Sequence, residues 1–159
     1  MSCNTKGKQV SLDSFNGDFL EYDKFVKESF LTDFVINHAY RNGKRITAGK
    51  TDIEIEECYN HMTTKGSMDS SVRLPDLRRY ESIFMLKDIL TSDICFNCDN
   101  YISWEKEEKY LKEKIFCIDT GYLIILAKRN FVYKFVSAYH IDSKSKKEKL
   151  IEEYNKFKK

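Results

Sequence analysis

The chain has 159 residues, and Lys+Arg 27 against Asp+Glu 25 leaves a net charge of only +2. That balance excludes a histone-like polycation, so any nucleic-acid binding has to come from local clusters of basic residues. With 42% apolar and 14% aromatic residues, the chain carries enough core material for one domain, which at this size buries roughly two-thirds of its unfolded surface. No apolar run approaches the ~18 residues of a membrane span, and the opening MSCNTKGKQV lacks the apolar centre of a signal peptide. Five cysteines, an odd number without a secretion signal, argue against a disulfide framework and for the reducing cytoplasm.

Residues 1–12 read as a flexible polar N-terminus and 13–159 as a single α+β domain. From Asp18 the residues Phe19, Tyr22, Phe25, Val26 and Phe30 recur at helical spacing. A second short helix is expected over Asp33 to Arg41, stopped by Asn42-Gly43, which tolerate the left-handed backbone of a helix end. Lys44 to Lys50 reads as a basic loop. Thr51 or Asp52 is placed to cap a third helix running to about Lys65, and Gly66 to Ser71 reads as a small, polar, mobile linker. Pro75 suits a helix start, followed by the broad apolar face of Leu77, Tyr80, Ile83, Phe84, Leu86 and Leu90. The helical part thus covers 13–92.

Strand patterns follow over 101–141. Tyr101 to Trp104 is a short strand, and Glu105 to Lys112 a charged connection. Lys114 to Ile118 and Tyr122 to Arg129 flank the turn Asp119-Thr120-Gly121, and Phe131 to Ile141 makes a long last strand. Leu123 to Ala127 is apolar on both parities, which predicts a central strand covered on both faces. Asp142 or Ser143 is placed to cap a closing helix over 143–158, with Leu150, Ile151, Tyr154 and Phe157 on one face. Helices first, then a four-stranded antiparallel meander, then a closing helix is an α+β order.

The end of that meander carries the candidate chemistry. Cleavage of RNA through a 2′,3′-cyclic phosphate uses the RNA's own 2′-OH, so the protein supplies a base, an acid and cations, with no metal or other cofactor required. The unperturbed pKa of histidine lies near neutrality, which makes His140 the candidate acid or base. Arg78 and Arg79 open a helix and match phosphate bidentately. Ser137 and Tyr139 share one face of the last strand, with His140 on the other. Lys128, Arg129 and Lys87 are the candidate RNA-binding cations. Each of these residues also fits an ordinary solvated surface, and the run Lys144, Lys146, Lys147 and Lys149 reads first as the polar side of an amphipathic helix.

The stretch RLPDLRRYESIFMLKDIL, followed by strands ending FVSAYHID, resembles the barnase–EndoU–colicin–RelE class of small nucleases, in its phage- and prophage-associated branch. Arg78, Arg79 and Ile83 match its Arg-bearing helix, and Ser137 and Tyr139 its last strand. The likeness covers about residues 72–142. It implies a metal-independent endoribonuclease of toxin or phage-effector type, acting on tRNA or mRNA, with a cognate immunity or antitoxin protein as partner. An upstream catalytic residue is also implied, for which His38 qualifies by position.

Two further constellations compete. Cys58-x-x-His61 and Cys95-x-x-Cys98 together offer a Cys₃His ligand set of the kind that holds structural zinc. Tyr101 and Trp104 flank a loop and are candidates for stacking on a base. The rival to the enzyme is a non-catalytic phage or mobile-element inhibitor that grips a host protein or nucleoprotein through the same basic surface.

Overall fold

The computed structural model describes residues 9–67 and 70–158. Asp18 caps α1 (Phe19–Leu31) by accepting from the Glu21 amide. Buried Tyr22, Val26 and Phe30 form its inner stripe. Beyond α1 the chain makes one π-helical turn, Thr32–Ile36, and then departs from the expected second helix. Ala39–Arg41 is strand β1, and Lys44–Thr47 is β2, paired antiparallel to it. Asn42 and Gly43 both take positive φ, 51° and 77°. They form a two-residue hairpin turn whose backbone matches strand twist, not a helix stop, and Lys44–Thr47 of the expected basic loop is its second strand.

Thr51 and Glu54 close a capping box at the start of α2 (Asp52–Thr63). In place of the expected linker over Gly66 to Ser71, β3 (Thr64–Ser67) pairs antiparallel with β4 (Ser70–Pro75); residues 68 and 69 lie outside the described residues, as do residues 1–8 of the expected N-terminal tail. Asp76 caps α3 (Leu77–Thr91) through the amides of Arg78 and Arg79. A short α4 (Asp93–Phe96) leads into the meander. Its strands are β5 (Tyr101–Glu107), β6 (Leu111–Cys117), β7 (Tyr122–Lys128) and β8 (Val132–His140). Ser143 caps the closing α5 (Lys144–Phe157).

The fold mixes α and β, with a sheet larger than expected. Among the described residues it has six strands in the order β1-β2-β8-β7-β6-β5. The meander supplies four of them, and the β1–β2 hairpin adds two by laying β2 parallel to β8. A buried ion pair ties the hairpin back to the meander. Arg41 Nε donates to Glu113 at 2.8 Å and Nη1 to the Leu90 carbonyl at 3.0 Å.

Two apolar cores follow from the alternation of the strands. On one face α1, α2 and α3 pack over Ile115, Tyr122, Ile124, Leu126, Tyr133, Phe135 and Ala138. On the other, Leu150, Ile151, Tyr154 and Phe157 of α5 cover Ile102, Trp104, Phe116 and Leu123. Central β7 is therefore covered on both faces, as its apolar run predicts.

A bulge in β8 decides which residues face which core. Leu126 pairs with Phe135 and Ile125 with Ser137, so Val136 is the extra residue. Before it the odd residues Tyr133 and Phe135 enter the helix-side core; after it the even residue Ala138 does, and Tyr139 joins the α5 side.

Candidate functional site

β2 pairs with β8 only through Val132 to Lys134. The rest of β8, from Phe135 to His140, has no strand beside it on that edge among the described residues. α2, the β3–β4 hairpin and the first turn of α3 meet there. The C-terminus of α2 presents the carbonyls of His61 and Thr64, and two guanidinium groups converge on them. Arg79 Nη1 donates to Thr64 O at 2.7 Å and His61 O at 3.2 Å. Arg73 Nη2 donates to Thr64 O at 2.6 Å, and its Nε to Thr64 Oγ1 at 2.9 Å. Helix C-terminal carbonyls welcome cations, which is why two like charges tolerate this proximity.

The site is nonetheless short of negative charge. Arg79 Nε approaches Asp76 at 3.6 Å, an electrostatic contact too long for a hydrogen bond, and that buried N–H has no acceptor among the described residues. Burial, then Arg73's charge working against Asp76's attraction, holds the Arg79 guanidinium below its ordinary value. It stays protonated at neutral pH all the same. The guanidinium lies over the Tyr139 ring at 5.4 Å, a cation–π contact that orients the fork. His61 is held below the ordinary histidine value by partial burial and by the charges of Arg73 and Arg79. It is therefore neutral, and fit to accept a proton, at pH 7. His61 also lines a cleft of about 280 Å³ between α2 and β8, with Cys58, Lys134 and Val136.

The residues singled out from sequence divide between this cluster and elsewhere. Arg79 and Tyr139 are in it. Arg78, one position along the helix, points away to an exposed ion pair with Asp142. Ser137 shares the α5-side face with Tyr139. His140 is on the helix-side face, where its ring stacks on Tyr122 at 5.1 Å and its Nε2 is hydrogen-bonded to Ser82 Oγ. Ser82 Oγ also lies 2.8 Å from the Arg78 carbonyl, to which it donates when its hydrogen points that way. Burial, followed by the Arg78 charge, lowers the affinity of His140 for a second proton. This histidine orders the strand end and the start of α3.

Lys128 and Arg129 do not stand beside that end. Tyr122 pairs with His140 and Lys128 with Tyr133, so they lie at the opposite end of the β7–β8 hairpin, roughly 20 Å away at the rise of a strand. There Lys128 is paired with Glu105 and Arg129 covers the Tyr110 ring. Lys87 is exposed on α3 about 12 Å along the axis from Arg79. His38 is exposed just ahead of β1.

The expected zinc set is not assembled. Among the described residues no three His, Cys, Asp or Glu side chains are grouped as a metal would need. Cys95, in α4, is buried in the core, and burial pushes the Cys58 thiol up to about 12. Trp104 is not available to a base either. It is 3% exposed, and its Nε1 donates to Glu153 at 3.0 Å. Tyr101 is partly packed against the helix-side core, beneath the Arg41 guanidinium.

Sequence reasoning missed Arg73 and gave His61 only a metal role. The alternation Val72-Arg73-Leu74 ahead of Pro75 was a strand signal, and the capping box at Thr51 fixes where α2 begins. Arg73 is brought to Arg79 by the pairing of β4 with β3, whose Gly- and Ser-containing sequence carries no such signal, and His61 by the packing of α2 against α3. Among the described residues no helix is long and apolar enough to cross a membrane. Comparison of the chain with protein-family models, curated proteins and solved structures gives no significant match.

Proposed function

We propose that this protein is an endoribonuclease of toxin or phage-effector type that cleaves RNA by 2′-OH attack and leaves a cyclic phosphate. The observation that carries this reading is the convergence of Arg73 and Arg79 beside Tyr139 and His61 at the open edge of β8. Neutral His61 takes the proton of the ribose 2′-OH. The 2′-oxygen bonds to phosphorus as the bond to the 5′-oxygen breaks, and Tyr139 O–H supplies the proton the leaving oxygen needs. Arg79 and Arg73 balance the charge that builds on the phosphorane, the point at which fixed cations accelerate such a step most. Within this reading Ser137 and His140 shape the strand that carries Tyr139.

The inhibitor reading keeps one observation of its own. Val72, Leu74 and Leu77 are 59%, 53% and 43% exposed on the hairpin and helix start that also bear Arg73 and Arg79, a combination that suits a protein partner.

The deciding experiment incubates the purified protein with total RNA in the presence of EDTA and maps the new ends. Cleavage leaving 2′,3′-cyclic phosphate, abolished in a folded Arg79→Ala variant and strongly reduced in His61→Ala, supports the enzyme. Intact RNA with the folded wild-type protein refutes it and leaves the inhibitor.

A further inference from the structure

Tyr139 belongs to two places at once. Its ring meets Arg79 at the open edge of β8, and it also lines a groove of about 270 Å³ between the sheet and α5. The floor of that groove is Leu123, Ile141 and Leu150, and its rim carries Lys146 and Lys149. The two lysines are one helical turn apart, so they share a face of α5. Lys147, in the same turn, extends toward Gly121, where its Nζ is 3.6 Å from the position a Cβ would take.

Lys114 and Glu153 also line the groove, and there Glu153 is held by Lys114 and by Lys106, so its charge is already met. Lys146 and Lys149 form no ion pair with a carboxylate among the described residues. Moreover, the first turn of α5 contains no acidic residue but does contain Lys144, Lys146 and Lys147, where the helix dipole opposes positive charge. Unpaired lysines set against the dipole, above an apolar floor, fit a polyanion with flat apolar parts.

We infer that this groove holds the single-stranded flank of an RNA whose scissile phosphate sits at Arg79, with Tyr139 as the wall common to both sites. Lys146 and Lys149 contact successive backbone phosphates, and the apolar floor with the Tyr139 ring receives the bases, the usual division of labour on single strands. The inference rests on the ribonuclease reading for the placement of the scissile phosphate, but the groove's affinity for RNA is measurable without cleavage.

The test uses a fluorescein-labelled 2′-O-methyl oligoribonucleotide, which cannot be cut by 2′-OH attack, titrated by anisotropy at several KCl concentrations. Lys146→Gln/Lys149→Gln removes two exposed charges and no core volume, and a thermal melt verifies the fold. Each phosphate contact on a single strand contributes about 0.7 to the slope of log K against log salt. The double variant should therefore lose about 1.4 from the slope, while Lys87→Gln should leave it unchanged. A wild-type slope in the double variant overturns the inference, as does an equal loss in Lys87→Gln. Failure of the wild-type protein to bind the oligonucleotide while binding poly-glutamate also overturns it, and assigns the groove to an acidic protein segment. Loss of slope in the double variant, with no cleavage of ordinary RNA by the wild type, supports the groove and refutes the catalytic reading alone.

Discussion

Glu113→Ala tests how the sheet is closed, and hence how the edge of β8 is left open. Glu113 accepts from Arg41 Nε at 2.8 Å and from Nη2 at 2.5 Å. The two side chains are only 4% and 6% exposed. The guanidinium cannot follow solvent when its partner goes, because Leu90 O holds Nη1 at 3.0 Å and the Phe96 and Tyr101 rings lie 5.3 and 5.9 Å from it. An unpaired charge left in such a place costs about 3–5 kcal/mol. Against a total stability of roughly 5–15 kcal/mol, and at about 2–4 °C per kcal/mol, Tm should fall by roughly 6–20 °C. Arg41→Met/Glu113→Leu removes both charges while keeping apolar volume, and should stay within about 2 kcal/mol of the wild type. Urea unfolding followed by Trp104 emission reads both, since this lone tryptophan is buried and linear extrapolation gives the free energies. A loss below about 1 kcal/mol in Glu113→Ala, or a double variant as damaged as the single one, would show that other contacts hold the hairpin.

Three more outcomes follow from the geometry. Arg79→Lys should lower kcat/KM for RNA by roughly 10²–10³, whereas Arg78→Ala, an exposed residue paired with exposed Asp142, should change it by a few-fold at most; equal losses in single-turnover assays would reject the assignment. His140 has its folded pKa below its unfolded one, so its neutral form contributes stability that is fully present above the unfolded value of about 6.5 and is lost as pH falls below it. Wild-type protein should therefore lose more stability than His140→Gln between pH 7.5 and pH 5 in urea titrations, and parallel pH dependence in the two would contradict the burial argument. Glu153 accepts from Trp104 Nε1 and Lys114 Nζ at 3.0 Å and from Lys106 Nζ at 2.5 Å. Glu153→Ala should cost about 1–3 kcal/mol and speed amide exchange in α5 while leaving α1 protected. Uniform loss of protection would mean that α5 is not a separable layer.

Local patterns in the sequence were enough for most elements. The helical stripe from Phe19, the two-sided apolar run of β7 and the closing helix all appear where spacing places them, and of the paired cap candidates Thr51 and Ser143 take the cap positions. These features are legible because each is decided by neighbours within a few residues. Asn42-Gly43 misled because a left-handed pair ends a helix or turns a hairpin equally well, and the choice lay with β8, some ninety residues away, against which β2 pairs.

The candidate site divides along the same line. Arg79 and Tyr139 were recognisable by residue type at a helix start and a strand end. Their partners were not, since Arg73 joins them only through the β3–β4 hairpin and His61 through the packing of α2 on α3. His140 illustrates the reverse: by type it is a general base, yet Ser82 and Tyr122, distant in sequence, hold its ring. Lys128 and Arg129, near Tyr139 in sequence, are carried to the far end by the antiparallel reversal of the chain. Residue type and local spacing thus determined which groups can bind phosphate or move a proton. Register, the bulge at Val136 and the pairing of distant strands decided which of them meet, because a side chain's neighbours across a sheet are set by pairing and pleat and not by its place along the chain.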